Sequence, residues 1–174
     1  MSSGGKLEVI LRVLGFLLSF LAAIVIGVGK ETKVVPITIS SQLPPFHIVV
    51  VAKWHYLSAF VYHFATNVIT SSYGLLSLML TLSSKNRHNN MLTLLIIVLD
   101  TVTVALLSSG TGAAMAIGVM GYQGNSHVRW NKVCDTFGRF CKQVAASAVL
   151  SLAGAIVFML LIILAVVGLQ KRPK

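Results

Sequence analysis

Residues 91–119 read MLTLLIIVLDTVTVALLSSGTGAAMAIGV. This run carries one charged residue, Asp100, and far exceeds the roughly 18 apolar residues that a helix needs to cross a bilayer. Runs of the same kind lie on both sides of it, at residues 7–28, 56–82 and 144–169. None alternates apolar and polar residues as a membrane β-barrel strand does, so a helical bundle is the architecture that satisfies the backbone in lipid. The chain therefore reads as one all-α membrane domain over residues 1–174, a four-transmembrane-helix bundle. Its connections are two outer loops, 29–55 and 120–143, and an inner loop, 83–90.

Composition agrees with the runs. Apolar residues make up 56% of the chain and charged residues 10%, with a mean hydropathy of +0.86. A soluble domain carries about 25% charge. Too little polar surface exists to cover a soluble enzyme, and too much apolar residue is present for a disordered chain or a disulfide-rich miniprotein. The formal net charge is +10, from 14 Lys and Arg against 4 Asp and Glu. Those cations are scattered through short polar segments rather than gathered on a patch. They fit topology signals and contacts with membrane lipids, not a nucleic-acid surface. The first run is longer than a signal-peptide core and is interrupted by Arg12, so it reads as a retained span.

Orientation rests on two signals. With the N-terminus inside, Lys6, Lys85, Arg87, Lys171, Arg172 and Lys174 cluster densely beside span ends on the cytoplasmic side. Lys30, Lys33, Lys53, Arg129, Lys132, Arg139 and Lys142 are spread more thinly over the two outer loops. Cys134 and Cys141, the only cysteines, both fall in the second outer loop, where a disulfide requires an oxidising compartment. Both signals place the two termini in the cytoplasm.

Within the spans, two charges matter most. Arg12 lies about one and a half turns into the first and Asp100 about nine residues into the third. Both spans run from inside to outside. At 1.5 Å per residue the two residues sit roughly 8 and 14 Å from the inner boundary, a gap that an arginine side chain covers. An Arg12–Asp100 ion pair is the expected arrangement. The competing readings are an arginine that snorkels to the headgroups, a protonated aspartate hydrogen-bonded in the bundle, and a proton or cation relay. His63 and Asn67, four apart, share a helix face and have the chemistry to hydrogen-bond a neighbouring span. The histidines are too scattered for a metal site, and no cofactor or catalytic motif is present.

Small residues recur at four-residue spacing. Gly15, Ser19, Ala23 and Gly27 line the first span, Gly110, Ala114 and Gly118 the third, and Ser147, Ser151 and Ala155 the fourth. Such faces let backbones approach closely, within one chain or between chains. In the second outer loop, a Cys134–Cys141 bridge would close a short ring and display Phe137, Arg139 and Phe140, with nearby Trp130, as an outer contact surface. Residues 30–55, with Val34, Pro36, Ile37 and Ile39 ahead of Pro44 and Pro45, read as extended and apolar enough to lie on the membrane or a partner. Trp54 and Tyr56 stand where an interfacial aromatic belt belongs.

The chain resembles the Casparian strip membrane domain protein-like (CASP-like) family of land plants, within the wider MARVEL-like four-span group. The resemblance is carried by Arg12 in LRVLGF, by KWHYLSAFVYHFATN at residues 53–67, by Asp100 in LLIIVLDTVTVALLSSGTGAA, and by WNKVCDTFGRFCKQV before the fourth span. The family's signature Arg and Asp map onto Arg12 and Asp100, and its cysteine pair onto Cys134 and Cys141. The first outer loop lacks the aromatic and acidic stretch of the strip-forming members and looks like the broader CASP-like subgroup. The resemblance implies a multi-pass plasma-membrane protein, not an enzyme, that forms homo-oligomers or assembles with related CASP-like proteins. It also implies a scaffold that organises a membrane domain and recruits secreted or wall-associated proteins. The alternative reading is a small ion or solute transporter, or a channel subunit, using Asp100.

Overall fold

The structure is a computed structural model describing residues 3–37, 46–83, 90–127 and 130–170. Helix α1 spans Ser3–Gly27 and leads into a β-hairpin, β1 (Lys30–Ile37) and β2 (Phe46–Lys53). A single 3-10 turn, Trp54–Tyr56, then delivers the chain to α2 (Ser58–Ser83). Helix α3 (Asn90–Gln123), the short α4 (Val133–Thr136) and α5 (Gly138–Gln170) complete the chain. Four helices, α1, α2, α3 and α5, are long and apolar enough to cross a membrane. The expected inner loop, Lys85 and Arg87 included, and the terminal cations at 171–174 lie outside the described residues.

Helix α1 packs on α2 and α5, and α3 packs on the same two. The bundle is thus a square in which α1 faces α3 across one diagonal and α2 faces α5 across the other. Successive spans run antiparallel: Gly27 of α1 meets Phe64 early in α2 while Arg12 reaches Ser77 late in it, Gly110 of α3 meets Thr66 while Asp100 meets Tyr73, and Gly118 faces Val144 of α5 while Leu107 faces Gly154. The hairpin and α4 therefore gather at one end, with the start of α1 and the end of α5 at the other, the terminal end.

The polarity of this bundle is inverted relative to a soluble protein. Arg12, His63, Asn67, Thr70, Asp100 and Ser147 are buried, while Ile10, Leu76, Leu94, Val149 and Ile163 are exposed. That distribution is stable only where the exterior is itself apolar. Two apolar clusters fill the interior. One, around Ile26, Phe60, Phe140 and Val144, lies at the hairpin end. The other, around Leu107, Phe158 and Leu161, lies deeper.

The apolar runs and the helices differ in length. The helix α5 starts at Gly138, ahead of the run expected from 144, and α3 continues to Gln123. Hydropathy marks the stretch that lipid must solvate, whereas a helix continues until its backbone finds another partner. At the end of α3 that partner is Gly124, whose φ of 72° suits glycine and whose N–H bonds the Met120 carbonyl at 2.9 Å. Gly29 plays the matching part after α1, because a Cβ there would stand 2.8 Å from the Ile26 carbonyl oxygen. The extended loop expected at 29–55 pairs with itself, in an antiparallel register running from Lys30↔Lys53 to Ile37↔Phe46. Both strands are edges, which is why Pro36 is tolerated within β1.

Candidate functional site

The residues that lipid penalises most meet near the terminal end of the bundle. Arg12 is buried, and its Nη2–H donates to Asp100 Oδ2 across the α1–α3 diagonal at 3.4 Å. Its Nη1–H donates to Ser77 Oγ on α2 at 3.1 Å, and its Nε–H to Glu8 Oε1, one turn back on α1, at 3.4 Å. The other oxygen of Asp100, Oδ1, accepts the Tyr73 hydroxyl at 2.6 Å. Ser77 in turn donates to the Gly74 carbonyl at 3.1 Å. A guanidinium with its donors directed at carboxylates and a hydroxyl, facing a carboxylate with both oxygens occupied, meets the condition under which a buried ion pair survives. Side chains of α1, α2 and α3 converge here, so we call it the charged brace.

A second brace spans the other diagonal, nearer the hairpin. Ser147 on α5 donates to the Ala22 carbonyl on α1 at 2.8 Å. Its hydroxyl proton being used there, Ser147 accepts from His63 Nε2 on α2 at 3.0 Å, which assigns the Nε2–H tautomer to His63. Asn67 Nδ2 donates to the His63 carbonyl at 2.8 Å. Between α3 and α5, Thr111 donates to Ser151 at 3.0 Å. This neutral brace is less completely satisfied, for Asn67 Oδ1 and Thr70 Oγ1 are buried and have no hydrogen-bond partner among the described residues.

The small-residue stripes work within the chain. Gly15 admits the Phe158 ring of α5, and Gly27 admits Phe64 of α2, each 3.1 Å from where a Cβ would stand. Ser19 is buried and returns its hydroxyl to the Gly15 and Phe16 carbonyls, each at 3.0 Å. Ala23 and Ala114 are buried in the packed interior. Gly110 is pressed directly against the Thr66 side chain, so any larger residue collides there. Gly118 is different. A Cβ at that position would meet only Val144, at 4.0 Å, so no close helix contact requires the glycine.

At the hairpin end, Cys134 and Cys141 form a disulfide with a Cα–Cα distance of 5.7 Å, tying α4 to the first turn of α5. The expectation that Phe137 and Phe140 face outward is corrected here. Both are buried, with Phe140 packed edge-on against Phe60 at 5.7 Å between centroids. The reason is that α5 starts early. Phe140 then sits one turn before Val144 on the inward face, where an aromatic ring gains more from burial than from display. Arg139 remains exposed and Trp130 half-buried, so the outward set shrinks to those two. Trp54 turns in against Phe64 at 4.7 Å between centroids, while exposed Tyr56 has Lys53 Nζ 5.6 Å from its ring centre.

Sequence reading missed two contributions. Tyr73 and Ser77 belong to the charged brace, one turn apart on α2, and their spacing was the available signal. The carboxylate Oε2 of Glu31, from β1, accepts the Phe140 backbone N–H at 2.8 Å and so caps α5 from outside the helix.

Fold and interior together define a four-span helical membrane protein whose bundle is cross-braced by buried polar side chains. The chain belongs to the Casparian strip membrane protein family, whose domain matches residues 1–157. It is 54% identical to the CASP-like protein 1E1 of Ricinus communis over 98% of this chain and 88% of that one. Against the CASP-like protein 1E1 of Glycine max the figures are 51%, 97% and 89%. Against that of Arabidopsis thaliana they are 47%, 91% and 83%. No solved structure matches the chain.

Proposed function

We propose that the protein is a plasma-membrane scaffold rather than an enzyme. It self-associates or assembles with related CASP-like proteins to organise a membrane domain, and it recruits secreted or wall-associated proteins through its hairpin end. The termini lie in the cytoplasm, which puts the disulfide and the hairpin outside. The observation that carries the reading is the pair of polar braces. They occupy the interior with groups committed to one another and leave a long apolar flank available to lipid and neighbouring copies. A transporter reading needs an acid free to take and release its cargo, whereas both oxygens of Asp100 already have partners, Arg12 and Tyr73.

The test joins photobleaching of the fluorescently tagged full chain in plant cells with the mass of the purified particle. A scaffold gives slow, incomplete recovery and a particle of several copies. Recovery as fast as that of a free small membrane protein, together with a monomeric particle, overturns the proposal. An Asp100→Asn variant that folds and assembles normally but loses an ion or solute flux establishes the transporter instead.

A further inference from the structure

A cavity of about 270 Å3 lies at the hairpin end between α2, α3 and α5. Trp130, Val133 and the disulfide pair bound it on one side, and Phe60, Phe140 and Val144 on the side of the core. Its lining is apolar except at the rim, where Tyr122, Gln123 and Trp130 stand. The volume approaches twice that of the ~150 Å3 apolar cavity known to hold a benzene ring, so the space accommodates a ligand and not merely a packing defect.

Three observations indicate what enters. Met115, Val119 and Ala145 line the cavity and are also exposed on the flank of the membrane-spanning helices, so the opening faces hydrocarbon. From Gln123 down to Met115 the cavity follows α3 for about 12 Å at 1.5 Å per residue, its lower half within the apolar run that ends at Val119 and its upper half at the level of the interface. Finally, Gly118 lies on the cavity wall, and no helix contact demands a glycine there. The missing side chain leaves room in the cavity, whereas at Gly110 it leaves room for Thr66.

We propose that this cavity seats one acyl chain of a membrane glycerolipid, drawn sideways from the leaflet at the hairpin end, with its ester and headgroup at the Tyr122–Gln123–Trp130 rim. The rim fits that headgroup. The Gln123 amide, the Trp130 indole N–H and the Tyr122 hydroxyl are several donors, matched by the carbonyl and phosphate oxygens of a glycerolipid and not by the single hydroxyl of a sterol. Because the disulfide bounds the same cavity, the bound chain and the α4 segment support one another.

The experiment places the full chain in phosphatidylcholine nanodiscs with a trace of phosphatidylcholine carrying a diazirine near the end of one acyl chain. A diazirine sterol is used in parallel, and labelled peptides are mapped by mass spectrometry. The acyl probe should mark the peptides around Gly118 and Val144 well above the exposed flank around Met159 and Ile163. Gly118→Phe fills the cavity from its wall, and Ala145→Trp obstructs its mouth from an exposed position. Each should lower cavity labelling about tenfold, the change that follows from a single tenfold loss of affinity, and leave flank labelling unaltered. If Gly118→Phe fails to form its disulfide or changes its elution, Ala145→Trp alone decides. Equal labelling of cavity and flank overturns the proposal, as do preferential labelling by the sterol and labelling unchanged in Ala145→Trp.

Discussion

The two ends of the bundle are held by different physics. Near the termini, the Arg12 guanidinium meets Asp100 across a diagonal, with Glu8 one turn back on its own helix and hydroxyls around them. Near the hairpin, aromatic packing, a neutral hydrogen-bonded relay, a disulfide and a carboxylate cap share the work. Losing Arg12 or Asp100 deprives the other of its counter-charge across the bundle. Losing one member of the hairpin-end arrangement leaves the others in place. The termini-side half should therefore fail abruptly and the hairpin-side half gradually.

The sharpest way to break that contrast is Asp100→Asn, which removes the buried carboxylate facing Arg12 and leaves it the less buried Glu8. A loss of about 3–5 kcal/mol is expected, the range for breaking a buried pair from one side. It is read as surface expression and as resistance of the purified protein to denaturing detergent. Arg12→Gln should do comparable damage, and the double variant should lose less than the two single losses combined. Strict additivity would show that the two residues do not act as a pair.

Next in size comes the disulfide. Cys134→Ser with Cys141→Ser should cost about 2.5 kcal/mol by the loop-entropy relation for so short a ring. The effect should be confined to the hairpin end, with amide exchange rising around residues 133–141 and the middle of α3 unaffected. Exchange rising equally throughout would mean that the two ends are not separable.

Tyr73→Phe probes the charged brace more gently. It removes one charge-assisted hydrogen bond from Asp100, and about 1.5 kcal/mol is expected. If thermal stability is unchanged, the hydroxyl is not needed to hold the carboxylate. The smallest effect should be that of Glu31→Gln, about 1 kcal/mol for a weakened cap on α5. It should appear as faster amide exchange at Phe140 and faster reduction of the disulfide by a soluble thiol. A reduction rate equal to that of the parent protein would separate the hairpin from the second loop.

How much of this was legible from residues alone differs between the ends. The Arg12–Asp100 approach followed from helical rise, because charges in an apolar run are rare and have few partners. Tyr73 and Ser77 fall on one stripe of α2 with Thr66 and Thr70, at i, i+4, i+7 and i+11, a spacing that marks an inward face but does not say which of its hydroxyls reaches Asp100 or Arg12. The hairpin was hidden for a related reason. Extended, Val-rich sequence shows that a segment is not helical, but not that it pairs with itself. Phe137 and Phe140 were assigned outward because the start of α5 was placed where hydropathy rises. The cap from Glu31 and the bridge to Cys134 act on backbone geometry, to which hydropathy is blind.

Sequence by itself determined that the chain crosses a membrane four times as helices, since lipid leaves an apolar run of that length no other way to satisfy its backbone. It also marked Arg12 and Asp100 as charges that need partners, with each other the expected ones, because isolated charge in hydrocarbon is costly. Tertiary structure alone decided which hydroxyls surround that pair, that the small-residue faces are used within one chain, and that Gly118 opens a cavity while Gly110 closes a contact. These depend on the rotation of each helix about its own axis. That rotation is set by the fit of neighbouring side chains; the stripes of small and polar residues mark an inward face but not the partner it meets.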